Sequence, residues 1–182
     1  MKQLIPVLVL AALAAGAANA TAASVGVGAY GGTNIVVLQD DNKGGAIFGA
    51  RVPVSLISFF TVEPYYSKAS GGTKKDTFGD VEYSRTGFDV TTLGANVILG
   101  SPAGAGFKFF PYAGIGSNKL SRPGNTDSTY VGYNFGLGIG AGLTDKASIV
   151  FRGGVNMVKT GDTSRKFAEI TGGIYYNLFK SK

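Results

Sequence analysis

The sequence predicts an all-β protein: an eight-stranded antiparallel up-and-down β-barrel that crosses a membrane, preceded by a cleaved signal peptide. Three observations predict this fold. One segment alternates strictly between apolar and small residues, eight segments have strand character, and the connections between them alternate between long and short. An alternation of period two is typical of a strand with two unlike faces.

The clearest alternation lies in residues 129–143, which read Thr-Tyr-Val-Gly-Tyr-Asn-Phe-Gly-Leu-Gly-Ile-Gly-Ala-Gly-Leu. Every odd position from Val131 to Leu143 is apolar, whereas the even positions carry glycine or Asn134. This run is longer than the ~5–6 residues of a usual strand. It matches the ~9–11 residues that a tilted strand needs to cross a bilayer. Since the opposite face is small and polar, we expect the apolar face to contact lipid.

The N-terminus has the three parts of a secretory signal peptide. Lys2 is followed by an apolar run from Leu4 to Ala15 and by the cleavage motif Ala18-Asn19-Ala20. Residues 1–20 are therefore predicted to be the signal peptide, and residues 21–182 to form one barrel domain. A membrane-anchor helix is the alternative, but the run is shorter than the ~20 apolar residues that such a helix needs. The chain has no cysteine, so the exported domain has no disulfide.

Eight segments are predicted to be strands: roughly 24–33, 44–54, 59–67, 86–99, 106–117, 129–143, 147–158 and 165–179. The connections between them run long, short, long, short, long, short, long. Turn-forming residues mark them, such as Pro123-Gly124-Asn125 and Gly161-Asp162. Bacterial outer-membrane barrels have short periplasmic turns and longer external loops. The alternation therefore predicts this location, with both chain ends on the periplasmic side.

A closed barrel is also required physically, because an open sheet edge in lipid would leave backbone groups without hydrogen bonds. Residue parity then assigns the two faces of each strand. Apolar residues such as Leu93, Phe151 and Ile170 are predicted to face outward. With no tryptophan in the chain, phenylalanines are expected at the periplasmic membrane interface: Phe59, Phe107, Phe109 and Phe179.

Several motifs carry a family resemblance. Pro111–Gly116 opens a strand after a short turn, Tyr133–Gly140 alternates aromatic or apolar residues with small ones, and the last strand runs through Thr171, Gly173, Tyr176 and Leu178. In these motifs the chain resembles the small eight-stranded outer-membrane β-barrel family, which includes the membrane domain of outer-membrane protein A. The resemblance covers essentially the whole mature chain. It implies recognition of the C-terminal strand by the outer-membrane assembly machinery.

The chain has no histidine, and this argues against an enzyme. The outer-membrane barrels that are enzymes are known for sites that use histidine as a base, so the resemblance implies a non-enzymatic protein without a cofactor. Gly26–Gly31 matches a dinucleotide-binding pattern but lacks the required βαβ unit. Asp40-Asp41-Asn42 has too few ligands at too poor a spacing for Ca²⁺ and is expected to be a solvated turn.

Inward parity selects five charged residues for the barrel lumen: Arg51, Glu63, Lys108, Arg152 and Glu169. Arg51 and Glu63 are placed about symmetrically around one turn, and Arg152 and Glu169 around another. Each pair is therefore expected to meet across its hairpin. The interior of an eight-stranded barrel is just wide enough for side chains to fill it. The charges are expected either to plug the barrel or to line a gated ion path or small-ligand site.

The formal net charge is +6, and much of the positive charge lies in the predicted loops. Candidates for contact with anionic lipid headgroups are Lys68, Lys74, Lys75, Arg85, Lys119, Arg122 and Lys166. The alternative is that they are simply solvated. Because the chain is predicted to be exported and lipid-embedded, outer-membrane lipids are expected as partners and nucleic acid is not.

The expected function is that of a non-enzymatic integral protein of the bacterial outer membrane, with a structural or surface-interaction role through basic external loops and an unknown surface ligand. The alternative is a narrow pore or a small-ligand transport barrel. A soluble lipocalin-like barrel is disfavoured, because its inward face would have to be the apolar one.

Overall fold

The computed structural model describes residues 24–37, 44–79, 81–161 and 163–180. The predicted signal peptide and the Asp40-Asp41-Asn42 turn lie outside these residues. The described ranges contain eleven strands: β1 (Ser24–Val37), β2 (Gly45–Arg51), β3 (Val54–Ile57), β4 (Phe60–Ala69), β5 (Thr73–Phe78), β6 (Val81–Thr86), β7 (Asp89–Leu99), β8 (Phe107–Ser121), β9 (Ser128–Gly142), β10 (Ala147–Thr160) and β11 (Thr163–Lys180). No helix within these ranges has the length and apolar character to cross a membrane.

The main sheet closes on itself, because β1 pairs with β11 as well as with β2. β2 and β3 form one barrel strand that is interrupted at Val52 and Pro53, and the closed barrel therefore has eight antiparallel strands. Proline has no N–H to donate to a ladder. The interruption is bridged by the Pro53 carbonyl, which accepts a 2.9 Å hydrogen bond from the Gly26 N–H. The predicted eight-stranded barrel is confirmed.

The two ends of the barrel differ. Ser24 lies opposite Lys180, so both chain ends of the described barrel share one end, here named the terminal end. The opposite end, named the hairpin end, carries a separate two-stranded sheet in which β5 pairs with β6. The segment predicted as a long loop over 68–85 is therefore largely strand.

The predicted strict alternation of connection lengths is wrong in detail. Thr160 pairs with Thr163, so the predicted loop 159–164 is a tight turn in which Gly161 has a φ of 66°. The connection at 100–106, by contrast, has no strand. Polar residues at the hairpin end continue the ladders beyond the apolar part of the barrel. The sequence pattern locates the apolar part of each strand but not its polar extension.

The outer wall of the barrel is apolar. In β9 the five outward side chains from Val131 to Ile139 are 41–53% exposed, whereas Gly132, Gly138 and Gly140 face inward and are buried. A large exposed apolar surface marks a protein or a membrane contact, and on the outside of a closed barrel of this fold it is the membrane contact. The apolar belt of the barrel is thus its lipid-facing surface, and the parity assignment is confirmed.

The lumen is filled by three layers of side chains. Near the hairpin end an apolar cluster comprises Tyr30, Ile47, Ala69, Val90, Leu120, Val158 and Phe167. Near the terminal end a second cluster comprises Ile98, Ala103, Phe110, Val150 and Tyr175. Buried charged and polar side chains lie between them. Many inward glycines are explained by this filling, because aromatic rings occupy the space beside them.

Gly138 and Gly153 test the filled lumen as a matched pair. A Cβ added at inward Gly138 would overlap the ring of Phe110, whereas one added at outward Gly153 would meet no atom within 4 Å. We expect Gly138→Ala to destabilise the barrel by ~1–3 kcal/mol through overpacking. Gly153→Ala should be neutral or stabilise it by ~0.4–1 kcal/mol. Urea unfolding from lipid vesicles measures both, and equal effects would contradict a packed lumen.

Candidate functional site in the barrel lumen

The centre of the lumen is organised around a buried carboxylate. Glu63 is the second inward residue of β4, between Thr61 and Tyr65, and its side chain is 0% exposed. An ionised carboxylate without water is costly unless it is paired and hydrogen-bonded. Glu63 therefore needs donors from other strands.

Four hydrogen bonds reach this carboxylate. Arg152 donates two of them, from Nη1 to Oε1 and from Nη2 to Oε2, each at 2.7 Å. The Tyr175 hydroxyl donates to Oε2 at 2.9 Å, and the Asn96 amide donates to Oε1 at 3.0 Å. A two-point guanidinium–carboxylate contact is among the strongest charge-assisted arrangements in proteins. Glu63 is thus held by β7, β10 and β11 at once.

Arg51 supplies a second cation to the same carboxylate. Its Nε lies 3.9 Å from Glu63 Oε1, and its Nη1 donates a 3.4 Å hydrogen bond to the Tyr175 hydroxyl. Its guanidinium stacks on the ring of Tyr30, 3.6 Å from the ring centroid. Stacking on an aromatic face offsets part of the cost of burying a guanidinium.

The network extends to all eight barrel strands. Arg152 lies 5.1 Å from the ring centroids of both Phe110 and Tyr112 on β8. On β9, the Asn134 amide donates to Asn96 Oδ1 at 3.0 Å and to the Tyr65 hydroxyl at 3.1 Å. With Tyr30 on β1, every strand contributes a side chain. These residues are named the ionic layer: Tyr30, Arg51, Glu63, Tyr65, Asn96, Phe110, Tyr112, Asn134, Arg152 and Tyr175.

The predicted pair of Arg152 and Glu169 is wrong. Arg152 lies opposite Thr171, and Glu169 lies opposite Gly154. The centre of the turn between β10 and β11 lies one residue further along the chain than the sequence suggested. An error of one residue in the centre of a turn changes the opposite residue by two.

The expected pairing of Arg51 with Glu63 also differs in register, since Arg51 lies opposite Tyr65. The two charges still approach each other diagonally, at the 3.9 Å given above. Glu169 instead accepts a hydrogen bond from the Asn156 amide. Next to it is a cavity of about 10 Å³ with six polar lining residues: Asn34, Ser67, Thr92, Asn118, Asn156 and Glu169. This space holds about one water molecule.

Lys108 lies apart from the ionic layer. It is the inward residue before Phe110, is half-buried, and sits beside Gly104 at the terminal end. There the connection 100–106 folds into the barrel mouth, where Pro102 and Ala103 are buried. The Gly104 N–H donates to Ser148 Oγ at 3.0 Å.

This plug turn, residues 100–106, depends on glycine. Gly100, Gly104 and Gly106 have φ values of 117°, 109° and 81°, which other residues rarely adopt. The sequence identified the segment only as a short turn. Its three glycines and one proline within seven residues were the available signal of an unusual backbone.

The predicted basic surface residues fall into separate groups. Lys68, Lys119 and Lys166 face outward from barrel strands, whereas Lys75 lies on the β5–β6 hairpin and pairs with Glu82 at 2.7 Å. Lys74 lies opposite Arg85 in the ladder of that hairpin. An exposed ion pair such as that of Lys75 with Glu82 contributes little to stability.

Arg122 belongs to the mouth at the hairpin end. Its guanidinium lies 4.8 Å from the ring centroid of Phe88, and that of Arg165 lies 4.5 Å from the same centroid. Phe88 packs against the apolar cluster of the hairpin end. The predicted basic set therefore does not form one continuous surface.

Comparison with solved structures places the fold. The structure of Neisserial surface protein A superposes with a TM-score of 0.57 at 16% sequence identity, covering 86% of this chain and 97% of that one. This chain has the fold of the small eight-stranded outer-membrane barrels. The N-terminal β-barrel domain of Pseudomonas aeruginosa OprF aligns with a TM-score of 0.49 at 16% identity, over 84% of this barrel and 97% of that domain.

Sequence comparison adds no relative. No protein-family model matches the chain, and no curated protein matches it. At 16% identity the structural likeness establishes the fold and transfers no ligand. The chemistry of this barrel therefore has to be derived from its own residues.

A double-mutant cycle tests the ionic layer. We expect Arg152→Ala or Glu63→Ala to cost ~3–5 kcal/mol each, because each leaves a buried charge without its partner. The combined change should cost clearly less than the sum of the two. The matched cycle of Arg152→Ala with Glu169→Ala should be much closer to additive. Free energies of unfolding in lipid vesicles measure both cycles.

The two cycles distinguish two registers of the barrel. Strong coupling of Arg152 to Glu169, together with additivity of Arg152 and Glu63, would restore the pairing across the β10–β11 hairpin. It would contradict the network described here.

Proposed function

We propose that the protein is a non-enzymatic integral barrel of the bacterial outer membrane whose lumen is closed and whose function is carried by its external face. The observation that carries this proposal is the combination of an apolar outer wall with a lumen blocked three times: by the plug turn, by the ionic layer and by the apolar cluster of the hairpin end.

The closed lumen favours a structural barrel over a conduit. Phe110 and Ile98 are each 0% exposed, so the layer next to the plug turn is dry and packed. The cavity beside Glu169, at about 10 Å³, leaves no room for a ligand larger than water. A narrow pore or a small-ligand barrel, the second candidate, would require these layers to rearrange together.

The residue inventory supports a non-enzymatic role. The sequence has no histidine and no cysteine. Among the described residues, no group of three or more acidic, histidine or cysteine side chains could hold a metal ion. The fully buried charges Arg51, Glu63 and Arg152 pair with one another, and a buried network of this kind offers no access to a substrate.

The hairpin end is the proposed external face. It carries the β5–β6 hairpin, which extends beyond the barrel and exposes Tyr83, Lys75 and Glu82. Outer-membrane barrels have their longer loops outside the cell and their chain ends in the periplasm. Neisserial surface protein A, whose fold the chain shares, is by its name a surface protein. A surface-interaction role is the most direct use of such an arm.

Single cysteines in this cysteine-free chain test location and orientation together. Thr73→Cys, Asn125→Cys and Gly161→Cys lie at the hairpin end, and all three positions are exposed. We expect a membrane-impermeant maleimide to label them on intact cells. Lys146→Cys, in an exposed turn of the terminal end, should be labelled only after the outer membrane is opened.

Lys146 is a better control than a residue of the plug turn, whose burial alone would slow labelling. Labelling of Lys146→Cys on intact cells, with the other three protected, would reverse the orientation. Recovery of the protein in the soluble periplasmic fraction would contradict the membrane location.

A further inference from the structure

Four lysines lie where the apolar outer wall ends on the side of the hairpin end. On β4, β8, β10 and β11 the first charged outward residue beyond the apolar run is a lysine. These residues are named the lysine girdle: Lys68, Lys119, Lys159 and Lys166. Lys68 follows outward Tyr66, and Lys159 follows outward Met157. The girdle is thus spread over four of the eight barrel strands.

The girdle sits at membrane-interface height. The outward apolar run of β9, from Val131 to Ala141, spans about 25 Å for strands that rise ~3.3 Å per residue and tilt by ~40°. That height equals the ~25 Å apolar band of outer-membrane barrels. Thr129 is the next outward residue of β9 beyond this run. It lies opposite Lys119, which lies opposite Thr91, which in turn lies opposite Lys68, so Lys119 and Lys68 are at the level where the apolar run ends.

The spacing of the lysines suits a multivalent anion. Lys68 and Lys119 are separated by one strand, so their backbones lie ~10 Å apart. Lys159 and Lys166 lie on adjacent strands, opposite Ser164 and Met157 respectively. Lys119 and Lys159 are likewise separated by one strand, so the four cations lie along one continuous part of the rim.

The opposite rim has a different chemistry. At the terminal end the outward residues at the limit of the belt are apolar and include four phenylalanines with exposures of 53–75%: Phe59, Phe107, Phe109 and Phe179. The exposed charges described there, Asp145 and Lys146, are adjacent in one turn and of opposite sign. A cationic rim at one end and an aromatic rim at the other indicate two leaflets of unlike charge.

Acidic neighbours leave the girdle cationic. Lys119 pairs with Asp127 at 2.7 Å, and the hydrogen bond from Lys119 lowers the pKa of the Asp127 carboxyl. Both side chains are about half exposed, so a competing anion can replace this weak contact. Asp89 accepts a hydrogen bond from the Gly71 N–H.

We propose that the lysine girdle binds the phosphate groups of a phosphomonoester-bearing glycolipid in the external leaflet and thereby fixes the depth of the barrel in the membrane. This inference rests on the proposed membrane location and orientation. A lysine keeps its stem along the apolar wall while its ammonium reaches the phosphate level. Near an anionic surface each lysine strengthens binding by roughly fivefold.

The experiment compares lipid retention by the full mature chain in phosphatidylcholine nanodiscs that contain either bisphosphorylated lipid A or its dephosphorylated form. The girdle variant carries K68Q, K119Q, K159Q and K166Q. A control variant removes four lysines elsewhere, with K108Q, K146Q, K180Q and K182Q. Lipid A that stays with the protein after extraction into mild detergent is quantified by mass spectrometry. Heat-modifiable gel mobility confirms that each variant is folded.

We expect the girdle variant to retain at least about tenfold less bisphosphorylated lipid A than the unmodified protein, and the control variant to change less than about twofold. The unmodified protein should also prefer the bisphosphorylated over the dephosphorylated form. If the four-site variant does not fold, K68Q with K119Q and K159Q with K166Q serve as separate double variants.

Equal retention by girdle and control variants, or no preference for the phosphorylated lipid, would overturn the proposal and leave the lysines as solvated charges. Failure of the unmodified protein to insert into nanodiscs would instead refute the proposed function. The two failures are therefore distinguishable.

Discussion

The rest of the structure depends on the burial of one carboxylate. Glu63 is 0% exposed in the middle of a barrel whose outer face is apolar, so its charge has to be offset inside the protein. Arg152 and Arg51 supply the positive charge, and Tyr175 and Asn96 complete the hydrogen bonds. The guanidiniums are in turn enclosed by aromatic rings, and inward glycines give those rings room. The inward glycines and the aromatic rings of the ionic layer thus follow from the same requirement as its paired charges.

The two faces of each barrel strand lie in different surroundings. Along each strand one face meets lipid and the other meets packed side chains, while the backbone closes its own hydrogen bonds through the pairing of β1 with β11. The two rims add a second asymmetry, with phenylalanine at the terminal end and lysine at the hairpin end. Because the lumen is closed and the two rims differ, the groups that a partner can contact lie on the outside of the barrel.

The sequence was sufficient for the fold, because period-two alternation and turn residues are local properties that survive in any barrel. It was insufficient for the pairing of charges. Arg152 and Glu63 are 89 residues apart, and barrel closure and the stagger of all intervening strands decide that they meet. A shift of one residue in the centre of a turn was enough to propose Glu169 as the partner instead. Inward parity nevertheless selected three charges of the ionic layer.

Neutral members of the ionic layer were missed for a related reason. Tyr175 and Asn96 have inward parity, but a tyrosine or an asparagine on an inward face carries no signal that separates it from its neighbours. The plug turn was missed because a fold back into the lumen is not encoded in hydrophobic periodicity. The only local signal in this segment is its cluster of glycines, which adopt positive φ values in the structure.

Conductance across a planar lipid bilayer tests the central claim most directly. The unmodified protein, reconstituted from its full mature chain, should pass no steady current, because three layers block its lumen. Glu63→Ala should open intermittent conductance, because the ionic layer shares Tyr30 with one apolar cluster and Phe110 and Tyr175 with the other, so that the layers loosen together. Lys75→Ala on the hairpin should not. A steady, ion-selective conductance from the unmodified protein would contradict the closed lumen and place the pore function first.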